Sequence, residues 1–153
     1  MNKSSIKFIQ YWIPVVIWLA IMCWMSTETF SSEQSSRFFI PLINFLFPWF
    51  SHGAVDWMHW AFRKAGHFTV YFILGLLLIR AFCEASLYNL KTRGAMCALI
   101  ILVLFAMIDE FHQSLIPART YLLSDIVIDL AGGMMALLAV SVSLRIGRYN
   151  KEN

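Results

Sequence analysis

Four long apolar stretches, separated by short polar segments, organise the chain. Residues 8–25 give 18 positions, or about 27 Å as a helix at 1.5 Å per residue, close to the thickness of a bilayer core. A second stretch follows the charged pair Arg63-Lys64, and a third, residues 95–108, is only 14 uninterrupted apolar positions long. A spanning helix needs about 20 residues, so the third must continue to about Ser114, carrying Asp109, Glu110, His112 and Gln113 in its last turns before Pro117. The fourth is the longest and has Asp125 and Asp129 in its first third. The pattern predicts helices over 8–25, 66–83, 95–114 and 122–144, all within one transmembrane domain covering residues 1–153.

Residues 38–50 are also apolar but are too few to span, and Pro41 and Pro48 argue against one straight helix. Lys and Arg placement tests this separately, because cytoplasmic loops carry the excess of positive charge. With four spans and the N-terminus inside, the inner side holds Lys3, Lys7, Arg80, Lys91, Arg93, Arg145, Arg148 and Lys151, eight against the outer four, Arg37, Arg63, Lys64 and Arg119. A fifth span at 38–50 would turn this into five inside and seven outside. The expectation is therefore an all-α polytopic protein of the cell membrane with four transmembrane helices and both termini cytoplasmic. Residues 38–50 form a re-entrant or interfacial segment between helices one and two.

Composition agrees. Of 153 residues, 59% are hydrophobic and 14% charged, with a mean hydropathy of +0.67; soluble domains average 45–50% apolar and about one quarter charged. Disorder and an ordinary soluble α/β domain are excluded, and the net charge of +3 gives no case for nucleic acid. Cys23, Cys83 and Cys97 are isolated and read as buried small hydrophobes. The first apolar run lacks a cleavage site and reads as an uncleaved helix. The Trp-rich segment 49–60 reads as an interfacial belt.

The polar residues inside the spans are where chemistry is expected. On this topology they cluster at the outer ends: Ser26, then Lys64 and His67, then Asp109 to Gln113, then Asp125 and Asp129, with Arg119 in the last loop. Ionisable groups within a membrane cost about 2.5–3.5 kcal/mol each on insertion scales, so a functional site is the default reading. Lys64, His67, Tyr71 and Gly75 share one helical face, as do Asp109, His112 and Gln113, and as do Asp125, Asp129, Gly132, Gly133 and Ala136. Each has a structural counterpart: Lys64 beside Arg63 suits snorkelling, His67 and Tyr71 an interhelical hydrogen bond, and Gly132-Gly133 close packing. Asp109-Glu110-Phe111-His112-Gln113 is hardest to explain structurally.

These residues also carry a resemblance. The run from Arg63-Lys64 through His67 and Tyr71 to Gly75 resembles the K-x-x-H-x-x-x-Y-x-x-L-G signature of VanZ-like bacterial membrane proteins. Asp109-Glu110-Phe111-His112-Gln113, Pro117-Ala118-Arg119 and Asp125…Asp129…Gly132 are similar to the same family's D-E-x-H-Q…P-G-R…D-x-x-x-[DN]-x-x-G block, with Ala118 where Gly is usual. Met25-Ser26 and the serines of 31–36 resemble its serine-containing first loop. The resemblance covers residues from about 11 to 140. It implies a cell-envelope protein connected with antibiotic resistance of the teicoplanin type.

Three functions follow as expectations, the third being a structural or small-ion transport protein. In the first, the chain binds or remodels an outer-leaflet anionic amphiphile and so affects lipoglycopeptide susceptibility. Lys64, Tyr71, Asp109, Gln113, Arg119 and Asp129 then bind the ligand, and membrane lipids or lipid-linked envelope precursors are the partners. In the second, it is an intramembrane hydrolase or transferase with Glu110, His112, His67 and Asp125 as catalytic groups. No G-x-S-x-G or H-E-x-x-H motif occurs, and no cofactor is named by the sequence.

Overall fold

The computed structural model describes residues 3–28, 31–82, 92–115 and 123–152. Among them are five helices and no strand: α1 (Lys3–Met25), α2 (Ser32–Leu46), α3 (His52–Phe82), α4 (Thr92–Ser114) and α5 (Leu123–Glu152). All but α2 are long and apolar enough to cross a membrane. At 1.5 Å per residue α2 reaches about 22 Å, well short of the roughly 30 Å bilayer core.

Two boundaries differ instructively from the sequence expectation. The second spanning helix begins at His52, not at 66, so the Trp-rich segment belongs largely to α3. The pair Arg63-Lys64 reads as a boundary only if both charges need water. Here Arg63 donates to Ser35 Oγ (3.4 Å) and Lys64 forms an ion pair with Asp125, and the helix runs straight through. Residues 38–50 are the second case. Pro41 lies inside α2 and only Pro48 falls beyond its end. Ser31 caps the helix by accepting from the Gln34 amide (3.3 Å). The backbone bond lost at Pro41 is offset by packing on α3, where Phe39 meets Phe62 and His59 at 5.2 and 5.3 Å between centroids and Ile43 is buried.

α3 is the hub. At about 46 Å it exceeds a bilayer core, and its first turns pair antiparallel with α2 in a hairpin. The remainder packs against α1, α4 and α5 around a core including Val15, Leu74, Leu78 and Leu102. α1 runs antiparallel to it: Tyr11 stacks under Arg80 and Trp12 meets Phe82 at one end, and Trp18 Nε1 donates to the Val70 carbonyl (3.1 Å) further along. α5 runs parallel to α3, since Lys64 faces Asp125, His67 faces Asp129, and Gly75 faces Gly133 and Ala136. Small residues let these two helices touch backbone to backbone.

Large apolar side chains cover the outside of the bundle, Phe38, Phe45, Trp49, Trp57 and Trp60 among them. Such a surface suits lipid and not water. Cys23 and Cys97 also lie on this exposed surface, which corrects the expectation that they are buried. A thiol is apolar enough for a lipid-facing position. Cys83 lies outside the described residues.

Candidate functional site

At one end of the bundle the four long helices gather nearly all of the polar groups singled out in the sequence. The i, i+3 spacing on α3 places Lys64 and His67 one turn apart, and the i, i+4 spacing on α5 does the same for Asp125 and Asp129. Because the helices are parallel, these meet as two rungs. Lys64 pairs with Asp125, which also accepts from Ser124 Oγ (3.1 Å), and His67 Nδ1 lies 3.1 Å from Asp129 Oδ1. An ionised carboxylate only accepts, so Nδ1 is the nitrogen that carries a proton toward Asp129.

α4 adds the third wall. Its buried positions Ala98, Leu102, Ala106 and Glu110 form a single i+4 row, and Gln113 continues it. Gln113 Nε2 donates to Asp109 Oδ2 (2.7 Å). His112 is two positions from Glu110, about 200° around the helix, and is exposed beside the exposed Phe111. The structure does not bring His112 to the other site residues. The shared face of Asp109, His112 and Gln113 is corrected to one of Asp109, Glu110 and Gln113. Arg119 lies outside the described residues.

Between α3, α4 and the end of α1, with Ser35 of α2 at its edge, is a cavity of about 160 Å³. Its lining mixes the apolar Met22, Met25, Phe62 and Val70 with the polar Ser26, Ser35, Arg63, His67, Tyr71, Asp109 and Gln113. Two of its hydroxyls are exceptional. Tyr71 is 1% exposed and Ser26 is 3% exposed, and neither finds a hydrogen-bond partner among the described residues. The buried Asp129 Oδ2 is in the same condition. An unpaired buried polar atom costs about 1–3 kcal/mol, so three in one place mark a site built for something other than stability. The charges of Asp109, Glu110 and Asp129 all bear on the Tyr71 phenol, and those of Asp109, Asp125 and Asp129 on His67. Among the described residues no group of three or more His, Cys, Asp and Glu side chains is arranged to hold a metal ion.

Ser35, His59 and Arg63 belong to this region without having been assigned to it from the sequence. Ser35 Oγ donates to the Ser31 carbonyl (2.9 Å), lies within hydrogen-bond distance of His59 Nε2 (3.0 Å) and accepts from Arg63 Nη1 (3.4 Å), tying α2 to α3. The signal was Ser35 in a serine-rich helix start, which spacing alone does not pair with a helix 24 residues on. Ser35→Ala leaves the buried His59 without this partner. The expected loss is about 1–3 kcal/mol, read as a lower midpoint in detergent unfolding; an unchanged midpoint contradicts a tie between the helices.

Fold and cleft together define a multi-pass helical membrane protein with a polar site sunk into one end of its bundle. The chain belongs to the VanZ/LLP1 family, whose model matches residues 11–144, a span that includes every described wall of the cleft. No curated protein and no solved structure matches it.

Proposed function

We propose that this VanZ-like envelope protein binds the head of an amphiphile from the outer leaflet in the cleft between α1, α3 and α4, and thereby alters lipoglycopeptide access to the envelope. The observation that carries this reading is the mixed lining, in which thioether and aromatic groups share one cavity with a guanidinium, an imidazole and unpaired hydroxyls. A water-soluble ligand has no use for the apolar groups, and an acyl chain alone has none for the polar ones. Arg63 supplies the planar fork suited to phosphate or carboxylate, with Arg119 a second candidate from the sequence. Lys64 is a positioning group in this reading, since its charge is matched by Asp125. The excess of Lys and Arg on the opposite side supports a cytoplasmic position for both termini and an outward-facing cleft.

The experiment is to block the cleft. In Ser26→Phe the ring fills space beside Tyr71, and the purified variant is expected to retain at least fivefold less phospholipid in native mass spectrometry. Cells expressing it at matched levels are expected to lose any change in teicoplanin susceptibility conferred by the unmodified protein. Equal lipid retention by a folded Ser26→Phe variant contradicts the reading.

One observation favours a second reading, an intramembrane hydrolase or transferase. His67, oriented by Asp129 at 3.1 Å, lines the cavity and has the form of a general base with its orienting acid. His67 then takes the role considered for His112, with Asp109, Asp125 and Tyr71 near it.

A further inference from the structure

The lining of the cleft carries charges of both signs. Arg63 and Asp109 line the same cavity, with the unpaired hydroxyls of Tyr71 and Ser26 in it as well. A purely anionic head satisfies Arg63 and meets Asp109 with repulsion. A ligand that carries both signs matches both groups.

We propose that the head recognised in the cleft is zwitterionic, an anionic phosphate or carboxylate joined by a short linker to a primary amine. The anionic group takes Arg63. The ammonium takes Asp109, whose Oδ2 is already oriented by Gln113 Nε2 at 2.7 Å, so the carboxylate is held in place before the ligand arrives. Tyr71 Oη and Ser26 Oγ, each able to donate and accept, complete the shell around the head. This narrows the amphiphile reading above and rests on it.

The test uses the full chain in detergent micelles, titrated with dihexanoyl phosphatidylethanolamine and dihexanoyl phosphatidylglycerol and followed by intrinsic tryptophan fluorescence. Free phosphoethanolamine serves as a chain-free control. The expected result is about tenfold tighter binding of the ethanolamine lipid, the size of one charge-assisted hydrogen bond, and at least tenfold weaker binding of the free head. In Asp109→Asn the preference is expected to fall to within twofold. Tyr71→Phe removes a hydroxyl with no protein partner, so it should fold at least as well as the unmodified chain while weakening the ethanolamine lipid about threefold or more. Equal affinity for the two lipids, or a preference that survives Asp109→Asn, overturns the zwitterion while leaving the amphiphile reading intact. Binding of neither lipid overturns both.

Discussion

Gly132→Ala is expected to prevent stable packing of α5 on α3. A Cβ built at this position lies 2.2 Å from the Phe68 carbonyl oxygen and 3.0 Å from its carbonyl carbon. The obstacle is backbone within a helix, which has no rotamer to give. The cost should therefore reach or exceed the top of the usual overpacking range of about 1–3 kcal/mol. Gly133→Ala meets only the Leu102 methyls, at 2.7 Å, and these belong to a side chain that can turn away; its effect should sit at the low end. Gly53→Ala meets nothing within 4 Å and should stay within about 0.5 kcal/mol. Unfolding midpoints of the three variants in one detergent check the order. A Gly132→Ala protein as stable as Gly53→Ala would contradict the close parallel packing of α3 and α5.

Breaking the Lys64–Asp125 rung should be nearly as severe. Both side chains are largely buried, 13% and 10% exposed, so either one alone is a charge without its counterpart. Lys64→Met and Asp125→Leu are each expected to cost about 3–5 kcal/mol, whereas the double variant should recover most of that loss because an apolar pair needs no compensation. A double-mutant cycle on unfolding free energies measures the difference. Additive losses would mean that the two groups do not interact.

Most of the fold was legible in the sequence because spanning helices are fixed by long apolar runs, and the small residues Gly132, Gly133 and Ala136 below two aspartates already implied a close helix contact. The rungs were half legible. Helical spacing placed Lys64 with His67 and Asp125 with Asp129, but it could not say that the two faces meet in register, which depends on α3 and α5 being parallel neighbours. Two of the errors share one cause. Polar residues in an apolar context were read as a boundary at Arg63-Lys64 and as one shared face at Asp109-His112-Gln113. Charges satisfied by Ser35 and Asp125 do not end a helix, and the buried face of α4 follows Leu102, Ala106 and Glu110, leaving His112 outside. The role of α2 was hidden because Pro41 is a strong local signal, whereas the contacts that outweigh it lie on α3.

The central claim is that the cleft receives an amphiphile's head against Arg63, Ser26 and Tyr71. It is tested most directly by an experimental structure of the full chain in nanodiscs of native lipid. The expected result is ordered headgroup density within about 3.5 Å of Tyr71 Oη and Ser26 Oγ, with an acyl chain along Met22 and Phe62. A closed cleft in which Tyr71 Oη bonds to a protein group, with no lipid among these residues, would contradict it.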